Sequence, residues 1–250
     1  MKSTHQNPAE ESGQSCGRLF VIATPIGNME DLTYRAAKLL GEVDALACED
    51  TRVTRAIFTR YEIARPSAMF SYHEHNEERA GNRILKLLKE GQSVALCSDA
   101  GSPGISDPGY RIISKALDEG LAVEIIPGAS AVTAALQASG LPPSSFTFKG
   151  FPPRKKGPRK RFLEMEKESP HSLIFFESPL RIGGFLKEAG SIYGDRLAAV
   201  CIELTKKFER VHRGYLSDLA DDLEGRKVKG EVTLIIAGKN RKFIRPDRGD

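Results

Sequence analysis

Short apolar runs alternate with amphipathic segments through the first half of the chain. Four short, mainly apolar runs have the length of buried strands: Leu19–Ala23, Ala45–Cys48, Ser93–Cys97 and Ala122–Ile126. Three segments between them repeat apolar residues at helical spacing: Leu32–Leu40, Glu77–Leu88 and Tyr110–Leu117. Near-continuous apolar strands that alternate with helices predict an α/β unit built on a mainly parallel sheet.

The second half of the chain has a different pattern. Its predicted strands are Ser145–Lys149, Ser172–Phe176, Leu197–Ile202, Glu209–Tyr215 and Glu231–Ala237. Its predicted helices are Ser130–Ser139, Leu180–Ala189 and Leu219–Leu223, the last with Ser217 as N-cap. Only the short segment 203–208 separates the third strand from the fourth, which predicts an antiparallel pair within a mixed sheet.

These patterns predict two α/β domains in a chain of 250 residues. We place the boundary near Pro127–Gly128, with an N-terminal domain over residues 18–128 and a C-terminal domain over residues 129–240. Residues 1–17 form a polar leader that we expect to be mobile, and residues 241–250 form a basic tail that we also expect to be mobile.

Composition excludes several classes of protein. The chain has 37 Lys and Arg against 33 Asp and Glu, a net charge of +4, which neither requires nor excludes a nucleic-acid partner. No apolar run approaches the roughly 20 residues of a membrane span, and the N-terminus lacks the apolar centre of a secretion signal, so we expect a cytoplasmic protein. Cys48, Cys97 and Cys201 lie in or beside apolar runs and have no CxxC partner, so we predict small core residues and no metal site.

Three loops after predicted strands have the composition of ligand-binding loops. The first contains Pro25 and Gly27, the second runs from Ser98 to Gly109, and the third contains Gly128 before a helix. Small and turn-forming residues let backbone amides approach a ligand, and a helix N-terminus offers free N–H groups. For Asp99 we favour contact with a ribose diol or an amino group. Asp107 more simply caps the helix that follows it, and Ser130 is either an N-cap or a ligand contact. None of these loops matches GxGxxG or GxxxxGK[ST], which disfavours an NAD or ATP enzyme.

Taken in order, the loops and the later motifs resemble the tetrapyrrole methylase superfamily, and within it the ribosomal-RNA branch. The supporting motifs are ATPIGNMEDLT, CEDTR, SYHEHNE, SDAGSPGISDPG, PGASA, GFPPRKK, FFESPLR, ELTKKFE and KGEVTLIIAG. They extend in order from about residue 19 to 238. The first loop reads ATPIGN where the superfamily typically has GxGPGD, a departure that the RNA branch shares and that weakens the case for a porphyrin-type substrate.

The resemblance implies S-adenosylmethionine as cofactor, bound in the cleft between two α/β domains, in a protein that is usually a homodimer. Carried over by position, the residues that line the cofactor are Pro25, Asp99, Ser102, Ser130 and Ala131, and backbone groups of Val232 and Thr233 border the adenine. The implied reaction is 2′-O-methylation of the ribose of a cytidine in the decoding region of small-subunit (16S) ribosomal RNA, either naked or in the assembled subunit.

The charge distribution favours RNA as the partner. Seven basic residues and no acidic residue lie between Lys149 and Arg161, in a stretch rich in Pro and Gly. We expect a loop that contacts the phosphate backbone, rather than only a solvated surface, and Phe151 either stacks on a base or packs in the core. The candidate RNA-binding residues are Arg52, Arg154, Lys155, Lys156, Lys160, Arg161 and Arg181.

Acidic residues at strand ends are the candidates for the general base. Glu177 and Glu203 would have raised pKa values if partly desolvated, and Lys206 would stabilise a developing alkoxide. The structural alternatives are ion pairs of Glu177 with Arg181 and of Glu203 with Lys206 or Lys207. We rank the catalytic and structural roles equally.

A second group of polar residues follows other strands. His73 and His75 alternate, so they would point to opposite sides of an extended segment, and a role as base is less expected than a phosphate contact or a helix cap. For Arg52 the alternative to an RNA contact is an ion pair with Glu49. Tyr72 is predicted to lie in the core.

Two alternative functions remain open from the sequence. One is a methylase of a small molecule such as a tetrapyrrole, which would not need the basic run at 154–161. The other is a non-catalytic RNA-binding module.

Overall fold

The computed structural model describes residues 16–246, and the chain divides into two compact units, the first ending at Ser130 and the second beginning at Ala131. Most of the predicted leader (residues 1–15) and the last four residues of the predicted tail lie outside the described residues. Gly17, the last leader residue, donates its N–H to the carbonyl of Leu88 at 2.7 Å. Within residues 16–246, no helix is long and apolar enough to cross a membrane.

The first unit alternates strands with helices along the chain. Its elements are β1 (Arg18–Ile22), α1 (Tyr34–Glu42), β2 (Ala45–Cys48), α2 (Thr51–Tyr61), β3 (Ala68–Ser71), α3 (Glu77–Lys89), β4 (Val94–Cys97), α4 (Tyr110–Asp118) and β5 (Ala122–Ile126). The strands form one sheet in the order β3-β2-β4-β1-β5, and every neighbouring pair is parallel. The predicted parallel α/β architecture is confirmed.

The register of this sheet gathers its loops at one edge. Cys97, the last residue of β4, pairs with Ile22 at the end of β1 and with Cys48 at the end of β2. All residues of β2 and β4 are buried, because helices cover both faces of the sheet. The loops that follow the five parallel strands therefore start at the same edge.

Two elements of this unit, α2 and β3, were not predicted. Helix α2 contains β-branched residues and three arginines, which weaken the apolar signal of a helix, although Ile57 and Phe58 are buried on one face. Strand β3 has only four residues, all partly exposed, because it is an edge strand. A short edge strand gives almost no periodic signal in the sequence.

The second unit is built on a mixed sheet, as predicted. Its elements are α5 (Ala131–Ser139), β6 (Phe146–Phe148), α6 (Lys156–Glu164), β7 (Ser172–Glu177), α7 (Ile182–Tyr193), β8 (Leu197–Ile202), β9 (Arg210–Tyr215), α8 (Leu216–Leu223) and β10 (Val232–Ile236). The strand order is β6-β7-β10-β8-β9. β6 and β7 are parallel, the other pairs are antiparallel, and the predicted antiparallel pairing of β8 with β9 is confirmed.

Helix α6 corrects the prediction of a basic loop over residues 154–161. The helix begins at Lys156, so Gly157 and Pro158 occupy its first turn. Backbone N–H groups in a first turn have no intrahelical partner, which is why a proline is tolerated there. Within the basic run, only the residues before Lys156 lie in a loop or strand rather than in this helix.

Two further predictions in this unit are wrong. Helix α8 begins at Leu216 with Tyr215 as N-cap, so Ser217 is not the cap. Its hydroxyl and N–H both donate to the Asp195 carboxylate. Of the tail that was expected to be mobile, residues 241–246 are held in place, since Ile244 bridges to Arg196 and the N–H of Arg245 donates to the Asp195 carbonyl at 2.8 Å.

Candidate active site

The loops after β1 and β4 are joined at their bases. The backbones of Thr24 and Gly101 exchange two hydrogen bonds of 2.9 and 3.1 Å, and the Thr24 hydroxyl donates to the Ser98 carbonyl at 3.1 Å. Gly101 has a φ of +77°, a conformation that favours glycine. The predicted cofactor residues Pro25 and Ser102 directly follow Thr24 and Gly101, the two residues joined by these hydrogen bonds. Pro25 is buried in the first loop, and Ser102 is half-buried in the second.

The loop after β5 approaches the loop after β1. A Cβ added at Gly128 would lie 3.0 Å from the Ala23 Cβ and 3.2 Å from the Ala23 carbonyl oxygen, so a larger residue would force the two loops apart. Ser130 ends this loop half-buried and makes polar contacts, and Ala131 is the first residue of α5. Three of the predicted cofactor loops therefore lie together at the edge of the first sheet.

Asp99 connects the loop after β4 with the segment after β2. Its Oδ1 accepts the N–H of Asp50 at 2.9 Å, and its own N–H lies 3.5 Å from Glu49 Oε2. The adjacent, parallel positions of β2 and β4 produce this contact. Two carboxylates, those of Glu49 and Asp99, are thereby held in one half-buried region at the strand ends.

Burial shapes the charge of these carboxylates. Desolvation raises the pKa of the Asp99 carboxyl above its usual value, and the charge of Asp50 adds to the effect. Desolvation also raises the pKa of Glu49, and the nearby charge of Asp99 adds to it. A raised pKa in a carboxyl group means that its negative charge is incompletely compensated, which favours a cationic ligand at this edge.

Residues Tyr72 to Asn76 form the turn between β3 and α3. Tyr72 is buried, as predicted, and its hydroxyl donates to Glu77 at 3.2 Å. The ring centroids of His73 and His75 are 6.0 Å apart, so the prediction that the two side chains diverge is wrong. The segment is a turn, fixed by the Asn76 side chain, and not an extended strand. His73 Nδ1 is buried without a hydrogen-bond partner.

Arg52 lies on the first turn of α2 and pairs with Asp50, not with Glu49 as the sequence suggested. Its Nη2 lies 2.6 Å from Asp50 Oδ2, and Asp50 also caps the helix through the Arg52 N–H. The Arg52 side chain lowers the pKa of Asp50 to about 2. Arg52 remains 85% exposed, so the ion pair leaves it accessible.

The prediction that Asp107 caps the next helix is also wrong. Helix α4 begins at Tyr110, and its N-cap is Gly109 at a φ of +147°. A Cβ on Gly109 would lie 2.8 Å from the Gly104 nitrogen, which explains the glycine. Glu77 Oε1 accepts the Gly109 N–H at 3.3 Å.

Four predicted site residues lie at or next to one edge of the second sheet. Val232, at the start of β10, pairs with Glu177 at the end of β7 and with Ile202, the residue before Glu203. Val232 and Thr233 are buried on this central strand. The mixed strand order brings Glu177 and Glu203 to the same edge on either side of β10.

Glu177 has one engaged and one unpartnered oxygen. Its side chain is 1% exposed, and its Oε1 accepts the Ser178 N–H at 2.6 Å and lies 2.5 Å from Arg181 Nη2. Its Oε2 is buried and has no hydrogen-bond partner, and the same holds for Arg181 Nε and Nη1. The alternative ion pair with Arg181 is therefore present, yet it leaves an acceptor and two donors unused.

Glu203 is held more completely. Its Oε1 lies 2.9 Å from Lys206 Nζ and accepts the Glu231 N–H at 2.9 Å. The hydrogen bond from Lys206 lowers the pKa of Glu203, contrary to the raised value expected for a base. Burial alone would lower the pKa of Lys206, but its hydrogen bonds to Glu203 and Glu231 raise it.

The basic run separates into anchoring and exposed residues. Lys149 pairs with Glu166, and Arg159 pairs with Glu188, each at 2.7 Å and mostly buried. The other five side chains are exposed, and they are the predicted RNA contacts Arg154, Lys155, Lys156, Lys160 and Arg161. Helix α6 has no acidic residue in its first turn and no side-chain cap, so basic residues stand where a helix dipole disfavours them. An anion at this helix start would relieve that repulsion.

A family model described as Tetrapyrrole (Corrin/Porphyrin) Methylases matches residues 18–220. The chain belongs to the tetrapyrrole methylase family. Members use S-adenosylmethionine as methyl donor, and the chain is an S-adenosylmethionine-dependent methyltransferase. The edge of the first sheet fits this cofactor, since the donor carries positive charge on its sulfur and its amino group, and the edge carries carboxylates with raised pKa values.

Close relatives carry one name. The chain is 46% identical over 226 residues to ribosomal RNA small subunit methyltransferase I of Halalkalibacterium halodurans, which covers 90% of this chain and 78% of the relative. It is 44% identical over 223 residues to the protein of that name in Thermotoga maritima, covering 89% of this chain and 99% of the relative. The Bacillus subtilis protein of that name is 44% identical over 228 residues, and the match covers 91% of this chain and 77% of the relative.

Solved structures share the fold at low sequence identity. A cobalt precorrin-4 methyltransferase is similar with a TM-score of 0.65 and 20% identity, over 88% of this chain and 94% of the other. A diphthine synthase is similar with a TM-score of 0.66 and 17% identity, over 88% of this chain and 90% of the other. The predicted tetrapyrrole-methylase-like fold is confirmed.

One residue of interest, Glu49, was considered from the sequence only as a partner for Arg52. Its position in the sequence was the available signal for a site residue. Glu49 comes directly after the end of β2, and Asp99 comes at nearly the same distance after the end of β4. Their contact depends on β2 and β4 being neighbours in the sheet, an order that the sequence does not specify.

Proposed function

We propose that this protein uses S-adenosylmethionine to methylate the ribose 2′-O of a cytidine in the decoding region of small-subunit (16S) ribosomal RNA. Relatives at 44–46% identity over about 90% of the chain are named as small-subunit ribosomal RNA methyltransferases. The observation that carries the ribose assignment is the unpartnered Oε2 of the buried Glu177. A hydroxyl nucleophile needs a proton acceptor, and this oxygen has no hydrogen bond that a proton would have to displace.

The reaction requires one proton transfer and one methyl transfer. S-adenosylmethionine supplies a methyl group activated by a positively charged sulfur. With the donor bound, its methyl group would exchange the bond to sulfur for a bond to the ribose oxygen, and Glu177 Oε2 would accept the proton that the hydroxyl loses. Arg181 and the Ser178 N–H hold the other carboxylate oxygen, which fixes the orientation of the acceptor.

Glu203 and Lys206 are proposed to act on charge at the same edge. Because the pKa of Glu203 is lowered by its hydrogen bond with Lys206, we assign it a weaker role as base than Glu177. Glu203 and Glu231 hold the Lys206 ammonium, which is half-buried and would stabilise negative charge on the ribose oxygen.

Donor binding is assigned to the predicted residues Pro25, Asp99, Ser102, Ser130, Ala131, Val232 and Thr233. Asp99 is the charged member of this set, and its desolvated carboxylate would accept hydrogen bonds from a hydroxyl or amino group of the donor. The glycines at 101 and 128 keep the backbone of the loops free of Cβ atoms.

RNA binding is assigned to the five exposed residues of the basic run, with Arg52 and Arg181 as further contacts. The uncapped start of α6 supports a phosphate contact there, since its first-turn N–H groups and the Lys155 and Lys156 ammonium groups all favour an anion. We also propose a homodimer, as family resemblance implies; analytical ultracentrifugation measures it directly.

Transfer of labelled methyl groups tests the acceptor class. The protein is incubated with methyl-labelled S-adenosylmethionine and, separately, with small ribosomal subunits, free small-subunit RNA, large subunits and a tetrapyrrole. Label is expected in the small-subunit RNA alone. Label in the tetrapyrrole, or in no acceptor while RNA still binds, would contradict the proposal.

A further inference from the structure

Phe151 is an exposed aromatic residue with a fixed backing. Phe151 is 59% exposed, and its ring centroid lies 5.5 Å from that of Phe176 on β7. Phe176 in turn contacts the Phe148 ring at 4.9 Å. Phe151 therefore packs against Phe176 with the ring planes tilted by 58°, Phe176 is itself backed by Phe148, and a large part of the Phe151 ring remains open to solvent.

The backbone holds this ring in place. Gly150 has a φ of +63°, which turns the chain out of β6, and its carbonyl accepts the Phe176 N–H at 3.0 Å. Two prolines follow Phe151 directly, of which Pro152 is buried. Prolines have fixed φ angles and also restrict the backbone of the residue before them, so the backbone at Phe151 loses little conformational freedom when a ligand binds.

Basic groups begin three residues after the ring. Arg154 and Lys155 are exposed, and the carbonyl of Arg154 accepts a hydrogen bond of 3.0 Å from Arg159 Nη1. Arg159 is itself held by Glu188 at 2.7 Å. A mostly buried ion pair thus anchors the loop that carries the exposed cations, close in sequence to an exposed aromatic ring.

We propose that Phe151 is a stacking platform for one unpaired base of the RNA, with Arg154 and Lys155 on the adjoining phosphates. This inference rests on the proposed function and adds that the RNA is single-stranded at this surface. Stacking on aromatic rings is a common way in which proteins hold splayed-out bases, and the neighbouring positive charge suits a polyanion. A hydrophobic protein partner would meet the exposed cations Arg154 and Lys155 beside this ring, a less favourable match.

The test compares RNA binding and turnover among variants of the full chain. Phe151→Ala is expected to weaken binding of a short single-stranded RNA roughly 10- to 100-fold, with less effect on a fully paired duplex. Phe151→Leu keeps apolar bulk without a π-face and should lose a similar factor, whereas Phe151→Tyr should restore binding. Phe146→Ala, at a half-exposed phenylalanine of β6, is the matched control and should bind as the wild type does. A 2-aminopurine base in the RNA should be quenched by the wild type and not by Phe151→Ala.

The outcomes separate this inference from the proposed function. Wild-type RNA affinity and quenching in Phe151→Ala would overturn the stacking platform while methyl transfer by the wild type still stood. If Phe151→Leu bound RNA normally, or if Phe151→Ala changed only self-association, the ring would be an apolar protein contact and the inference would be wrong. Absence of methyl transfer to RNA by the wild type would instead contradict the proposed function.

Discussion

The two sheets present acidic residues at their edges in opposite electrostatic states. At the edge of the first sheet, burial raises the pKa values of Glu49 and Asp99. At the edge of the second sheet, Arg181 pairs with Glu177 and Lys206 pairs with Glu203. The first edge therefore carries surplus negative charge, and the second is close to balanced.

This difference in charge indicates that the two edges have different functional roles. Surplus negative charge in a desolvated region stabilises a positively charged ligand, which suits a methyl donor with a cationic sulfur. A carboxylate locked by a cation through one oxygen is oriented rather than neutralised, which suits an acceptor for a single proton. The edge of the first sheet therefore suits binding of a cationic ligand, and the edge of the second sheet suits the orientation of a proton acceptor.

The largest effect is expected at Glu177. Glu177→Gln should lower single-turnover methyl transfer by about 10²- to 10⁴-fold, because the amide keeps the shape of the side chain and cannot accept the proton. Affinities for donor and RNA should change by less than about threefold, measured by calorimetry and anisotropy. Glu203→Gln is the comparison, and a larger loss there than at Glu177 would reverse the assignment.

Asp99 tests the negative edge of the first sheet. Asp99→Asn should weaken donor binding by about 10- to 100-fold, the usual size of a lost hydrogen bond to a charged group. Asp107→Asn lies in the same loop and should bind the donor normally. Equal affinities for the two variants in calorimetry would remove Asp99 from the donor site.

The exposed basic residues test whether the second unit carries the polyanion contact. Replacing Arg154, Lys155 and Lys156 by Gln should reduce the slope of log affinity for single-stranded RNA against log salt by about 2, since each lost phosphate contact on a single strand contributes about 0.7. Donor affinity should not change. The matched control replaces Arg226, Lys227 and Lys229 of the same unit, and an equal fall in slope there would indicate only a general charge effect.

The smallest effect concerns stability and pH. The pKa of Glu49 is raised in the folded protein. The contribution of Glu49 to the free energy of unfolding is therefore fully present below its pKa in the unfolded chain, about 4.3, and is lost as the pH rises through its pKa in the folded protein. Glu49→Gln should therefore raise the melting temperature by about 1–3 °C at pH 7, with the gain disappearing near pH 4. The exposed Glu74→Gln should show no such dependence, and a constant gain at all pH values would contradict the charge argument.

The sequence predicted the strands of both sheets well where burial is complete. The bounds of β2 and β8 agree with the structure, because buried apolar runs of that length leave little choice. The bounds of β5 also agree, although it is an edge strand whose residues are mostly part-exposed. The helix α6 was missed because Gly157 and Pro158 signal a break unless they fall in a first turn, which depends on where the helix begins. The edge strand β3 has too few buried residues to leave a pattern.

The candidate site was predictable in its residues and not in its contacts. Loop composition after the strands pointed to Asp99, and motifs pointed to Glu177 and Glu203. Which oxygen of Glu177 is free depends on the Ser178 N–H and on the rotamer of Arg181, and Glu49 meets Asp99 only through the strand order. Such details follow from tertiary structure and have no local signature.

The most direct test of the account is the position of the transferred methyl group in the RNA. Small-subunit RNA is isolated after reaction with the wild type, digested, and analysed by mass spectrometry of its fragments and nucleosides. The account predicts a single 2′-O-methylcytidine in the decoding region, resistant to alkaline cleavage on its 3′ side and absent after reaction with Glu177→Gln. A methyl group on a base, or on a ribose far from that region, would contradict it.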